Sequence, residues 1–168
     1  MADVKEFELF HGIVLTKLVR SDRPTTLRLI ETDPSRAWAA YTVNDEVTLY
    51  VKYRASSRTL SRAEGGRSWN FVFSASELAK IRAMAPDTRV HLALVCGQKK
   101  IESGDCGMHV CFLTPDHRKQ LIETKSTTQQ TISVKCLPGK SLRVTGSVSH
   151  KEHVVKRSAL DKWTVPGT

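Results

Sequence analysis

Between Lys52 and Arg67 the chain carries five cations, Lys52, Arg54, Arg58, Arg62 and Arg67, against a single acid, Glu64. The arginines recur every four to five residues among Ser and Gly. A guanidinium fork matches phosphate oxygens in pairs, so a serine-rich loop with this spacing is expected to follow the backbone of DNA or RNA. The plainer reading is a solvated loop, the usual fate of a charge run. Tyr53 and Trp69 flank the loop, placed either to stack on bases or to sit in the core. The later cations Lys135, Lys140, Arg143, Lys151, Lys156 and Arg157 extend the footprint if their segment packs beside the loop. The formal net charge is +9, and residues 1–47 hold six basic and eight acidic side chains, so all of the excess lies after residue 47. A patch of this kind attracts polyanions, and it would serve an acidic protein partner equally well.

Other chemistries find less support. Cys106, His109 and Cys111 have the spacing of half a zinc site, but Cys96 and Cys136 supply no second short pair, and no metal is expected there. Four cysteines are too few for a disulfide scaffold, so reduced thiols are expected. The six histidines are scattered without a nucleophile at a recognisable turn, which leaves acyl transfer without a foothold. Glu64-Gly65-Gly66-Arg67 lacks the spacing of a phosphate-binding loop.

The elements that must position these residues follow from periodicity. Phe7, Phe10, Val14 and Leu18 predict an amphipathic helix over residues 4–20. Three strands are expected at 26–31, 37–43 and 47–54, separated by Asp33-Pro34-Ser35 and Asn44-Asp45, as in an antiparallel meander. Trp69 to Phe73 alternates as a strand, and Ser74 with Glu77 forms a capping box that opens a helix ending before Pro86. Val90 to Cys96, VHLALVC, reads as a strand covered on both faces. Gln98 to Gly107 is polar and turn-rich; Met108 to Leu113 resumes as strand, and Thr114-Pro115 starts a helix to about Glu123. Residues 132–136 and 141–148 flank Pro138-Gly139 as a hairpin. The expected fold class is therefore α/β (α+β): a central mixed β-sheet flanked by helices, with a C-terminal β-hairpin, in a single domain over 1–168. Its parts are a core at 1–96, a strand-helix extension at 97–130, and a hairpin and tail at 131–168.

Helix, three-strand meander, helix and buried strand over residues 4–96 resemble the core of the restriction-endonuclease-like, or PD-(D/E)xK, superfamily. In Leu49-Tyr50-Val51-Lys52-Tyr53, Lys52 falls where the family's lysine stands. Tyr50 takes the place of the second acid, and the strand at 37–43 has no carboxylate; Glu31 and Asp33 are the nearest earlier acids. Glu6 and Glu8 of the first helix are further candidates. What the resemblance implies is a catalytic set of Lys52, Asp33 and Glu31 if the site cuts, with Mg2+ held by carboxylates that polarise the phosphate and activate water. Tyrosine cannot replace such a ligand, so the departure favours a degenerate site that binds. VKYR, WNFVF and LVCG are also similar to segments of a set of small prokaryotic proteins, a likeness that supplies no mechanism.

The expectation is a non-catalytic nucleic-acid-binding protein on a nuclease-like core, contacting DNA or RNA through Lys52, Arg54, Arg58, Arg62 and Arg67, with no cofactor. The alternatives are a metal-dependent nuclease using Glu31 or Asp33 with Lys52, and a protein-interaction module whose basic face meets an acidic partner or a second copy of the chain. No apolar run reaches membrane-spanning length and the N-terminus lacks an export pattern, so no membrane partner and a cytoplasmic location are expected.

Overall fold

In the computed structural model, which describes residues 4–20, 23–61, 65–84, 86, 89–98 and 106–166, the chain is an α+β protein. In chain order the elements are α1 (Glu6–Val19), β1 (Leu27–Asp33), β2 (Trp38–Val43), β3 (Val47–Arg54), β4 (Arg58–Thr59), β5 (Arg67–Phe73), α2 (Ala75–Met84), β6 (Val90–Cys96), β7 (His109–Leu113), α3 (Pro115–Leu121), β8 (Gln130–Cys136), β9 (Leu142–Gly146) and β10 (His153–Val155). No helix among the described residues is long and apolar enough to cross a membrane.

The meander forms as its turns dictate. Asn44 and Asp45 both take positive φ, 52° and 54°, as the central residues of a turn that the Glu46 N–H closes by donating to the Val43 carbonyl at 3.1 Å. Asn44 also fastens the turn outward: its Oδ1 accepts the Thr26 N–H at 2.6 Å, and its Nδ2 donates to the Pro24 carbonyl at 3.2 Å. β1, β2 and β3 pair antiparallel, β3 runs parallel to β6, and β7 closes the mixed sheet in the order β1-β2-β3-β6-β7. A register shift between Leu29 and Glu31 inserts one residue into β1. Because side chains alternate, this bulge moves Glu31 and Asp33 to the sheet face opposite that of Leu27 and Leu29.

One face of the mixed sheet packs against α1, where Phe10, Val14 and Leu18 meet Tyr41, Leu49, Val51, Ala93 and Val95. The other face, with Trp38, Tyr50, Leu92 and Leu94, packs against a second sheet through Trp69, Phe71, Phe73, Ile132 and Val134. β6 is buried at all seven positions because both of its faces are covered. Gly97 ends it where a side chain has no room: a Cβ there would lie 2.4 Å from the Phe10 ring and 2.9 Å from the Arg54 carbonyl.

The second sheet, ordered β10-β9-β8-β5-β4, is antiparallel throughout and is a feature that the expectation of one central sheet left out. The aromatic strand β5 joins the C-terminal hairpin instead of the meander. Its pattern carries the reason: Trp69, Phe71 and Phe73 are buried while Asn70 and Val72 are exposed, so this strand is covered on one face only. The turn at Gly139 takes φ 69°, which a side chain would strain. The helix starts form as expected, Ser74 and Glu77 exchanging capping bonds and the Thr114 hydroxyl accepting the His117 N–H at 3.4 Å. The 98–107 segment lies mostly outside the described residues.

Candidate functional site

Tyr50 and Lys52 lie on the face of β3 that meets the second sheet, and there the cation is enclosed. Lys52 is 7% exposed, its Nζ 2.6 Å from Glu77 Oε1 and 5.1 Å from the centre of the Phe73 ring. The Tyr50 hydroxyl donates to the same Glu77 oxygen at 2.9 Å. Glu77 Oε2 accepts the Ser74 N–H at 3.0 Å, so one carboxylate caps α2 and neutralises the buried ammonium together. Burial is the main force on Lys52 and holds its pKa below the usual lysine value, with Glu77 acting in the opposite sense. The Tyr50 hydroxyl is pushed far up, first by burial and then by the Glu77 charge.

The bulge in β1 brings the two remaining acids onto this face. Asp33 aligns across the sheet with Trp38 and Lys52, and Glu31 with Ala40 and Tyr50. Two strand spacings, roughly 10 Å, separate each acid from β3. The Trp38 indole on the intervening strand stacks on Tyr50 at 5.1 Å. Asp33 accepts from the Ser35 hydroxyl at 2.6 Å and has Arg36 Nε at 3.9 Å. The Ser35 bond, then Arg36, hold its carboxyl below the usual range. Glu31 pairs with Lys80, whose Nζ stands 5.5 Å over the Trp38 ring. Lys52, Asp33 and Glu31 thus share a face but do not converge, each being matched to a different partner. Among the described residues no group of three or more His, Cys, Asp or Glu is placed to hold a metal ion.

Beside the Lys52–Glu77 pair opens a cleft of about 300 Å³, lined in part by Ser35, Arg36, Arg54 and Asn70. It follows the edge of β5, which β4 covers only at Arg67 and Ser68. Arg36 is held at its rim by the Ser74 and Ser76 hydroxyls, at 3.1 and 3.0 Å, and Arg54 is exposed at the end of β3.

The arginine loop divides. Arg62 lies outside the described residues. Arg67 has the parity of inward-facing Trp69, whereas Arg58 pairs with Ser68 on the outer face of the second sheet. Ser68 in turn pairs with Lys135, and Lys135 with Arg143. The register therefore assembles Arg58, Ser68, Lys135 and Arg143 into one row across four strands. Asn70, Ser133 and Thr145 form the next row, with the Ser133 hydroxyl donating to Asn70 Oδ1 at 2.7 Å. Glu152 meets the first row at its edge, 3.5 Å from Arg143. The hairpin does pack beside the basic loop. What sequence reasoning missed was Glu77 as the partner of Lys52, although the capping box had already drawn attention to that residue.

Comparison with protein-family models, with curated proteins and with solved structures returns no match.

Proposed function

We propose that the protein binds nucleic acid without cutting it, and that the outer face of the second sheet is the contact surface. The observation that carries this reading is the in-register row Arg58, Lys135 and Arg143. It spans three strand spacings, about 14 Å, a length over which one nucleic-acid strand presents several phosphates at about 3.4 Å of axial rise each. The neighbouring Ser68, Asn70, Ser133 and Thr145 offer hydroxyl and amide groups suited to sugar and phosphate oxygens. The two rows contain no aromatic side chain, so base stacking contributes little and the expected preference is for backbone over sequence. Lys52 serves the interior in this reading, with Arg54 and Arg36 at the margin of the cleft.

Fluorescence anisotropy with labelled single strands and duplexes, repeated from low to high salt, tests it. Affinity is expected to fall steeply with salt as bound phosphates release counterions. Binding that is indifferent to salt, or that survives simultaneous Arg58→Ala, Lys135→Ala and Arg143→Ala substitutions unaltered, overturns the proposal. A metal-dependent nuclease is the second reading, favoured by the shared face of Glu31, Asp33 and Lys52. Cleavage of plasmid or single strands with Mg2+ that Lys52→Ala abolishes would establish it in place of the first.

A further inference from the structure

All four cysteines border the apolar core between the two sheets, and the sulfurs of two of them are in contact. Cys106 Sγ lies 3.1 Å from Cys136 Sγ and 3.4 Å from the Cys136 carbonyl oxygen. Neither is in a disulfide. Cys106 precedes β7 in the mixed sheet and Cys136 ends β8 in the second, so the contact crosses the seam between the layers. The Gln98 amide donates to the Cys106 carbonyl at 3.3 Å and helps fix that residue in place. Closing the gap to the ~2.05 Å of a disulfide takes about 1 Å of side-chain travel.

The four thiols differ in access. Cys106 is half-buried, whereas Cys96, Cys111 and Cys136 are fully enclosed. Burial pushes the Cys96 thiol well up and the Cys111 thiol up to about 12, so neither supplies thiolate at neutral pH. Cys136 needs no solvent access of its own, because its partner sulfur is already in contact.

We propose that Cys106 and Cys136 are a redox-modification site that closes to a disulfide in the presence of a hydroperoxide, with Cys106 as the sulfur attacked by oxidant. The Cys106 thiolate takes the distal oxygen of the peroxide as the O–O bond breaks, giving a sulfenic acid and releasing alkoxide, which is protonated to the alcohol, or to water from hydrogen peroxide. Cys136 sulfur then attacks the sulfenic sulfur; the S–S bond forms, and hydroxide leaves and collects the Cys136 proton as water. Two electrons pass from the sulfur pair to one peroxide. The product ties the two sheets together and constrains the chain between residues 106 and 136, so the oxidised protein is the more heat-resistant form. This inference is independent of the nucleic-acid reading.

The test treats the full chain with hydrogen peroxide, counts free thiols under denaturing conditions, and maps the cross-link by non-reducing peptide mass spectrometry. Free thiols are expected to fall from four to two, with a single 106–136 linked peptide and a Tm several degrees higher that returns to its starting value with dithiothreitol. Cys136→Ser is expected to stop at a sulfenic acid on Cys106 that dimedone traps, and Cys106→Ser to keep its remaining three thiols. Should either variant fail to fold, the linked peptide from the unaltered chain decides the matter alone. Retention of all four thiols at peroxide doses that oxidise a small-molecule thiol overturns the proposal, as does a linkage through Cys96 or Cys111 or one between chains.

Discussion

Lys52 and Arg58 stand six positions apart in one basic segment, yet the fold gives them opposite surroundings. Lys52 points between the sheets, 7% exposed and matched to Glu77; Arg58 joins a row of cations on an open sheet face. The difference lies in strand parity and cover: β3 is packed on both sides, and the second sheet on one. A charge enclosed on two sides must be neutralised by a dedicated partner, and so it becomes part of the architecture. A charge on an uncovered face keeps its hydration and stays available to a polyanion.

The strongest way to break that contrast is at Glu77. Glu77→Gln leaves an uncompensated ammonium in the core, and a loss of about 3–5 kcal/mol in denaturant unfolding is expected at neutral pH. The sign with pH is defined. Lys52 has its folded pKa below the value of 10.5 taken for the free side chain, so between those two values the unfolded chain binds more protons and stability rises with pH. Removing Glu77 takes away the influence that opposes this depression, so in the variant the rise begins at lower pH. Part of the loss should therefore be recovered toward pH 10, and Lys52→Met in the same background should recover more. Equal losses at pH 7 and pH 10 would mean that the pair is hydrated and the contrast with Arg58 is empty.

The other face of the mixed sheet supplies a second buried titratable group. His11 is 2% exposed, with the Phe7 ring at 4.6 Å and the Tyr53 ring at 5.6 Å, and burial lowers its pKa to about 4. Its folded value lies below its unfolded one of 6.5, so the contribution of His11 is fully present above pH 6.5 and is lost as pH falls toward 4. Up to about 3 kcal/mol should disappear over that window, and His11→Leu should flatten this part of the profile. A variant whose acid slope matches that of the unaltered chain would show that His11 takes up its proton without resistance.

At the outer face the expected effects move from stability to binding. Arg58→Ala should change folding stability by less than about 0.5 kcal/mol, as exposed substitutions do, and Lys135→Ala and Arg143→Ala, whose side chains are half-buried, by no more than about 1 kcal/mol. Each should also lower the dependence of log affinity on log salt by about 1. Glu152→Gln should strengthen binding slightly, because it removes the acid 3.5 Å from Arg143. A large stability loss from any of the three would place that residue with Lys52 as a structural charge.

Much of the architecture is legible in local patterns, and the relations between layers are not. The meander, the Ser74–Glu77 box, the Thr114 cap and the hairpin at Gly139 are short-range devices written in adjacent residues. Partition into two sheets is a long-range choice, hinted at only by the one-sided alternation of β5 against the continuous run of β6. The bulge at Leu29–Glu31 has no signature comparable to a capping box, and it alone decides which face receives Glu31 and Asp33. Charge density was visible at Lys52 to Arg67, but which cations share a surface depends on a register set with β8 and β9, more than sixty residues away.

The smallest expected effect concerns Glu31 and Lys80, the exposed counterpart of Lys52 and Glu77. Both pairs join a strand of the mixed sheet to α2, with side chains about half exposed here (43% and 46%) and nearly enclosed there (5% and 9%). In water most of the attraction is offset by hydration and by the ordering of two long side chains, so Glu31→Gln should cost between about 0 and 1 kcal/mol and less still in molar salt. Lys80→Ala should cost somewhat more, since the ammonium lies 5.5 Å over the Trp38 ring and its stem covers apolar surface. A double-mutant cycle on Glu31 and Lys80, run beside one on Lys52 and Glu77, measures the contrast directly. A coupling energy as large at the exposed pair as at the buried one would show that enclosure is not what separates the two kinds of charge in this molecule.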